Sequence, residues 1–444
     1  YDVSGSDSDA YPPMSTQLES LGIKVYSGYR PENLRDARPE LVIVGNAIPR
    51  GNPELEEVLN LDLPYYSMPQ ALQEFFLRGK HSIVVAGTHG KSTTASMAAW
   101  MLERGRLKPS FLVGAVPVNF GKSFQLRKKR KNYFVIEGDE YDTSFSDRRP
   151  KLVHYLPRTV ILNAVEHDHA DIYPTLDAVE EAFWQFLKIV PSHGRIIVSR
   201  DSETAFKLAK RAYGGLITFG FHPESEFRIT DEKWIDGVGH FKLQGVDYRI
   251  RGFGRHNIAN ASAVAILGFL CKIPPKRIHQ ALWEFEGVKR RMELRGEING
   301  IAVYDDFAHH PTAIALTLEG VRLAFPKSRI WAIFEPRSWS SRRNIFHDDF
   351  AKAFSSADRA ILAGVFQPEK LPPEVRLDAN RLAADITRNG TPCAYLPDQQ
   401  EIINSVVREA QPGDKLILMS NGSFDGLHDK ILAGLGKPDT PPLR

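Results

Sequence analysis

The sequence predicts an α/β protein of three domains with mainly parallel sheets. Three observations carry this. Short apolar runs rich in Val, Ile and Leu alternate with helical patterns along most of the chain, the order that winds a parallel sheet. The runs end in turns marked by Gly, Pro, Asn or Asp. And 444 residues exceed what one hydrophobic core organises, so the chain must divide.

Residues 1–78 hold "IKVYSGY" and "LVIVGNAIP", each a strand pattern running into a Gly or Pro turn, and read as a small Rossmann-like domain. The first residues already read as a strand leaving a turn, so the glycine-rich βα turn that opens such a domain is expected to be missing. Residues 79–292 form the central α/β domain and open with "VVAGTHGKSTTASMAAW" at 84–100. Residues 293–444 contain "IAVYDD", "RIWAIFEP", "RAILAGVF" and "KLILMSNGS" with helical stretches between, which predicts a second Rossmann-like, doubly wound sheet.

Composition excludes several classes. The chain is 42% hydrophobic and 25% charged, as ordinary globular proteins are. A net charge of +3 is too near balance to argue for a nucleic-acid partner. Two cysteines, Cys271 and Cys393, cannot make a disulfide framework and indicate a reducing compartment. No apolar run approaches a membrane span, and the polar start "YDVSGSDSDA" is no signal peptide. The expectation is a soluble cytoplasmic protein with no nucleic-acid or membrane partner. The basic run "RKKRK" at 127–131, between a helical stretch and a strand, reads as a solvated surface turn.

The stretch at 84–100 is strand, glycine loop, lysine, hydroxyl residues and helix, in that order. A standard phosphate loop has four residues between its first glycine and the Gly-Lys pair. Here Gly87-Thr88-His89-Gly90-Lys91 has only Thr88 and His89 there, and the standard position is Val85. The cradle is shortened but its parts suit a phosphate. The N–H groups of Thr88 to Lys91 are expected to face a phosphate, with the helix dipole behind them. Lys91 supplies charge for the β- and γ-phosphates, and the Ser92 hydroxyl, with Thr93 beside it, suits Mg²⁺. Gly87 and Gly90 permit close approach.

Further acidic, histidine and asparagine clusters follow strands. "VIEGDEYDTSF" ends a strand in Glu137, Asp139, Glu140 and Asp142, either a solvated turn or, beside the loop, ligands for a hard cation. "VILNAVEHDHADIY" ends at Asn163 and carries His167, Asp168, His169 and Asp171. Its His-x-His spacing has no cysteine or further histidine motif to make a zinc site, so His169 reads better as a group near phosphates and Mg²⁺. "GFGRHNIANASAVAI" places His256, Asn257 and Asn260 at a helix start, the two asparagines on one face, to cap the helix or to meet a nucleotide. Arg290 and Arg291 lie at the boundary before the third domain. Asp305, Asp306, His309 and His310 end a strand just before Pro311 starts a helix. An arginine and an aspartate there can clamp a nucleotide or form surface ion pairs.

Together these stretches resemble the Mur ligase family of cell-wall enzymes, whose short loop reads Gly-Thr-x-Gly-Lys-[Ser/Thr], as Gly87 to Ser92 do. The resemblance covers all three segments in order. It implies three domains that bind a UDP-substrate, ATP and an amine substrate, and an ATP-dependent ligase that forms an amide bond through an acyl phosphate. "VSGSDSDAYPPMSTQLESLGI", "FEPRS" at 334–338 and "MSNGSFDGLH" at 419–428 are similar to members that join UDP-N-acetylmuramate to the tripeptide L-alanyl-γ-D-glutamyl-meso-diaminopimelate in peptidoglycan recycling. Members that add L-alanine instead carry His-Arg where Arg337 and Ser338 stand, and are the alternative. A folylpolyglutamate synthase-like ligase and a non-catalytic ATP-binding protein are the remaining readings.

The resemblance also implies roles. Lys91 holds the ATP phosphates. Ser92 and Glu137, or Glu140 in its place, hold one Mg²⁺, and His169 holds a second. Gly87, Thr88, His89, Gly90, Thr93, His256, Asn257, Asn260, Arg291 and Asp306 meet ATP. His309, Arg337 and Ser338 line the amine pocket, and the loop at Asn421 and Gly422 holds a distant carboxylate. Some members carry a carbamylated lysine after the metal histidine. Trp184 occupies that area here, so none is expected.

Overall fold

The computed structural model describes residues 2–10, 14–127, 132–168, 172–235 and 237–436. The chain forms two compact units, Tyr1–Lys80 with Asp139–Leu156, and His81–Gly138 with Pro157–Arg444. The acidic stretch from Asp139 onward thus leaves the sheet that Glu137 ends and joins the first unit. Apolar periodicity marks strands and helices but does not record such an excursion of the chain.

In the first unit, Ser4–Asp7 pairs in parallel with Lys24–Ser27, and Val42–Val44 with Tyr65–Ser67. Helices connect them, as expected of βαβ segments. The helix Pro53–Asn60 starts where the Asn52 side chain accepts from the Glu54 and Leu55 N–H groups. Ser67 and Gln70 form a reciprocal capping box at Met68–Leu72. Asp142–Ser144 and Asp147–Pro150 form a short antiparallel pair.

The second unit holds two larger sheets. The first has ten strands in the order Val246–Ile250, Val238–Leu243, Phe227–Ile235, Gly215–Gly220, Arg195–Ser199, Pro157–Leu162, His81–Ala86, Tyr133–Glu137, Ser110–Leu112 and Phe124–Gln125. The strands from Phe227–Ile235 to Ser110–Leu112 run parallel, and the outer ones turn antiparallel. Its central strands are buried on both faces, which is why they read as unbroken apolar runs. The helices Lys91–Arg104, Arg255–Leu270 and Pro275–Glu284 close one face; Ile83, Val85, Met97, Leu102, Ile258 and Ile278 belong to that core.

The second sheet orders Glu293–Ile298, Ile301–Asp306, Lys415–Met419, Ile330–Phe334, Arg359–Ala363 and Cys393–Leu396. Only its first strand is antiparallel to its neighbour. Alternate residues of "IWAIF" face opposite cores: Ile330, Ala332 and Phe334 pack with Leu318 and Phe350, Trp331 and Ile333 with Leu418 and Ile431. Trp331 keeps its indole N–H satisfied by donating to Asp414 at 3.0 Å. Among the described residues no helix is long and apolar enough to cross a membrane.

Candidate active site

The strand His81–Ala86 sits where the sheet order reverses. The chain leaves it for Ser110–Leu112 and Tyr133–Glu137 on one side and returns as Pro157–Leu162 on the other. The crevice beyond the carboxyl ends of such strands is where α/β sheets bind ligands. The loop fills it. At Gly87 (φ +126°) a Cβ would stand 2.9 Å from the Ala164 carbonyl oxygen. At Gly90 (φ +77°) it would stand 2.9 Å from Asn163 Nδ2 and from Asn260 Oδ1. Both positions require glycine for their backbone angle and for space. The helix Lys91–Arg104 begins at Gly90, which brings no side chain to cap it, so the positive end of the helix faces the loop.

Thr88 departs from the expected inward-facing amide. Its N–H donates to Ala164 O at 2.7 Å. Its hydroxyl donates to Glu166 O at 3.2 Å and accepts from the Glu166 N–H at 2.9 Å. Thr88 therefore pins the loop to the 163–166 segment. Spacing along the sequence locates the loop but cannot tell which amide a distant residue consumes. Lys91 Nζ lies 3.4 Å from Thr88 O.

Glu137 ends the neighbouring strand, level with Val85. It accepts from the Ser92 hydroxyl at 2.8 Å and from the Gly114 N–H at 2.7 Å. A hydroxyl and a carboxylate in contact at the mouth of a phosphate loop form an all-oxygen donor set, which fits Mg²⁺. Thr93 stands half-buried in the same helical turn. Glu140 belongs to the other unit, where it is buried. His169 lies outside the described residues, as do Asp171 and residues 128–131 of the basic run. His167 turns its Nε2 to Tyr173 O at 2.9 Å.

The asparagines form a chain of contacts. Asn257 Nδ2 donates to Phe253 O at 2.7 Å, and Asn260 Nδ2 lies 3.4 Å from Asn257 Oδ1. Asn163 Nδ2 then reaches Asn260 Oδ1 (3.5 Å), His89 O (3.2 Å) and Thr94 Oγ1 (3.2 Å). The shared helix face was legible, and what it meets within the protein is the loop, through Asn163. His256 is half-buried in the same region, and desolvation, then the charges of Arg291 and His89, push its pKa down to about 4.

Asp306 is buried at the end of its strand and accepts from the Met292 and Ala308 N–H groups, both at 2.8 Å. Burial raises its pKa, against the pull of Arg291. The Arg291 guanidinium lies over the Phe307 ring at 5.1 Å. Arg290 and Asp305 pair at 3.3 Å. A contact absent from the sequence reading joins the two sheets: Glu166 Oε2 accepts from the Thr312 hydroxyl at 3.0 Å and lies 3.2 Å from His89 Nε2. The His89 contact leads in holding the Glu166 carboxyl below its usual range. The ligand atoms of His89, Glu166 and His310 all lie within 4.8 Å of one another, a grouping of potential metal ligands that the sequence reading passed over. Glu166 stands within the quoted "VEHDH" run, but nothing in its spacing separates it from the acids around it.

Family models match in three consecutive blocks: "Mur ligase family, catalytic domain" over residues 1–80, "Mur ligase middle domain" over 85–268, and "Mur ligase, glutamate ligase domain" over 290–422. The chain is 42% identical over 447 aligned positions to the UDP-N-acetylmuramate–L-alanyl-γ-D-glutamyl-meso-2,6-diaminoheptandioate ligase of Escherichia coli (strain K12), covering 98% of this chain and 93% of that protein. The chain belongs to the Mur ligase family. It is also 32% identical to the UDP-N-acetylmuramate–L-alanine ligase of Acetivibrio thermocellus, covering 95% of this chain and 88% of that protein. Among solved structures it resembles a murein peptide ligase of Psychrobacter arcticus 273-4, with a TM-score of 0.70, 34% identity, and 99% and 94% of the two chains covered.

In this Mur ligase the residues expected around the amine substrate gather at one edge of the second sheet. Asp306, Met419 and Phe334 stand level on neighbouring strands, so the loops that carry His309, Asn421 with Gly422, and Arg337 with Ser338 emerge together. His309 Nδ1 lies 3.0 Å from Phe307 O. Arg337 lies over the Phe366 ring at 3.7 Å, with its Nη1 3.6 Å from Glu335. A Cβ on Gly422 would collide with Arg337, 2.1 Å from Nε, so Gly422 gives the guanidinium its place. The Ser338 hydroxyl donates to Ser341 Oγ at 2.8 Å and accepts from the Ser341 N–H at 3.1 Å. Ser420 donates to Glu335, whose pKa burial raises.

Proposed function

We propose that this Mur ligase joins the carboxylate of UDP-N-acetylmuramate to the α-amine of L-alanyl-γ-D-glutamyl-meso-diaminopimelate, with ATP and Mg²⁺, in the cytoplasm. In this reading residues 1–78 receive the UDP-substrate, 79–292 bind ATP and 293–444 receive the peptide. A carboxylate is a poor acyl donor, so it first attacks the γ-phosphorus of ATP; ADP leaves and an acyl phosphate forms. The peptide amine attacks the acyl carbon, and the tetrahedral intermediate expels phosphate.

The observation that supports the ATP half is the Ser92–Glu137 contact at 2.8 Å beside Lys91. Lys91 offsets charge on the transferring phosphoryl group. Mg²⁺ held by Ser92 and Glu137, and by His169 at a second position, would screen the repulsion between two anionic reactants. Gly87, Gly90 and the helix start shape the cradle, while Thr88 and His89 fix it to the 163–166 segment. In this reading Asn257, Asn260 and His256 meet the nucleotide, and Arg291 and Asp306 reach it from the domain boundary. The amine needs little activation: a free α-amino group has a pKa of about 8, so a usable fraction is neutral near pH 7. The peptide half rests on likeness to the tripeptide ligases and on the Arg337–Gly422 packing, with His309, Ser338 and Asn421 around it. The small Ser338, its hydroxyl turned to Ser341, leaves room that a larger side chain would fill.

Phosphate release with ATP, Mg²⁺ and UDP-N-acetylmuramate, with the tripeptide or L-alanine as amine, tests the reading. The tripeptide is expected to be preferred; preference for L-alanine assigns the chain the other activity. Lys91→Ala is expected to keep its thermal melting point and lose about 10³-fold in turnover. Near-normal turnover of that variant rejects the assignment of the loop.

A further inference from the structure

We propose that Arg342 and Arg343 form, with Arg337, a binding site for the outlying carboxylates of the amine substrate. This rests on the tripeptide reading above and names the groups that would recognise it. The three arginines follow the strand Ile330–Phe334 in one loop. Two of them meet at a single residue: Arg337 lies over the Phe366 ring at 3.7 Å, and Arg342 Nη1 donates to Phe366 O at 3.3 Å. Arg343 lies over the Trp339 ring at 3.8 Å. Stacking occupies the faces of the guanidinium planes and leaves their N–H edges to recognise something else.

Those edges are short of acceptors. Arg342 Nε and Arg343 Nε are buried atoms with no hydrogen-bond partner among the described residues, and Arg337 Nη1 has only the Glu335 carboxylate, at 3.6 Å. Buried donors without acceptors are costly, and native structures keep few of them without a reason such as a ligand. The charge is also unbalanced. Glu335 also accepts from Ser420, and burial favours its neutral form against the pull of Arg337. The acid acting on Arg342 is the exposed Glu369. The Arg342 pKa is lowered, first by burial and then by the charge of Arg343, as crowded and incompletely neutralised cations require. The arginines themselves are half-buried, so a ligand can reach them.

The chemistry that satisfies such a cluster is carboxylate, which accepts paired N–H groups from a guanidinium. Alanine has one carboxylate, next to its amine. A γ-linked glutamyl residue keeps its α-carboxylate, and diaminopimelate adds two more at the far end of the peptide. There is also room: a cleft of about 490 Å³ lined by Val365, Pro368, Leu377, Asp378 and Tyr395 adjoins the cluster, the Asp378 carboxylate accepts from the Arg381 N–H, and the Leu377 N–H donates to Arg342 O at 2.9 Å.

The test compares the tripeptide with the same peptide carrying amidated diaminopimelate carboxylates. For the wild type, amidation is expected to raise KM about tenfold to a hundredfold. Arg342→Gln is expected to raise the KM of the free tripeptide by a similar factor, to leave the ATP KM unchanged, and to bring the ratio between the two peptides close to one. Arg342→Lys is expected to recover part of the ratio. If Arg342→Gln fails to fold, Arg343→Gln is read for the same ratio. A variant with the wild-type ratio, or a wild type indifferent to amidation, overturns the proposal while leaving tripeptide ligation intact. A wild type that turns over L-alanine and not the tripeptide overturns both.

Discussion

At the scale of single residues, His256 shows how surroundings set a charge. Its ring is half-buried, its buried Nδ1 has no partner among the described residues, and Arg291 and His89 add positive charge nearby. The folded pKa of about 4 lies below the ordinary 6.5, so the unfolded chain holds the proton more tightly. The stabilisation is complete above pH 6.5 and is lost as pH falls towards 4, by up to about 1.4 kcal/mol per pH unit for this one proton. Denaturant unfolding at pH 7, 6 and 5 should show wild-type stability falling, and His256→Gln should remove about one proton's share of that slope. An unchanged slope in the variant would remove His256 from the account. Residues differ in how far sequence exposes such roles. The places of Lys91 and Ser92 at a helix start, and of Glu137 at a strand end, were legible from the order of strand, loop and helix. Asn163 and Glu166 were not assigned their roles, because those depend on partners 69 to 146 positions away.

At the scale of elements, the phosphate loop is a shape that its neighbours impose. Gly90 has no room for a methyl group between Asn163 and Asn260, and its φ of +77° disfavours any other residue. Gly90→Ala should therefore destabilise the fold by about 1–3 kcal/mol and raise the KM for ATP more than that for the amine. Thermal melting and two KM measurements check this; an unaffected ATP KM would mean that the loop tolerates the shift. The same logic explains which elements could be read in advance. Doubly buried strands such as His81–Ala86 and Ile330–Phe334 are unbroken apolar runs. The strand Phe227–Ile235, with "FRITDEKWI" alternating towards solvent, does not stand out by that criterion, and the antiparallel edge it begins escaped the reading. That residues 139–156 pack with the first unit was not legible for a related reason: a short polar hairpin carries no apolar signature that ties it to one core.

At the scale of the whole second unit, the nucleotide loop and the amine edge belong to different sheets, and the reaction needs them held together. Several direct contacts among the described residues join them, and three show how. Phe253 packs on Phe325 with ring centroids 5.2 Å apart. Gly320 lies so close to Gly254 that a Cβ on it would stand 2.9 Å from the Gly254 Cα. The third contact is polar and touches the loop itself: Glu166 joins His89, beside Lys91, to Thr312, in the first turn of the helix Pro311–Ala324. The first two contacts fix distance, and the third couples the loop to the amine side. Glu166→Ala removes both ends of that link and should raise the KM of ATP and of the amine together. Thr312→Val removes only the far end and should act mainly on the amine. Because both variants break one shared interaction, their effects should not add. In the double variant the Thr312 change should have little further effect, leaving a coupling of about 0.5–3 kcal/mol in kcat/KM. Strict additivity would show that the two sheets are held by packing alone, and that Glu166 serves only to orient His89.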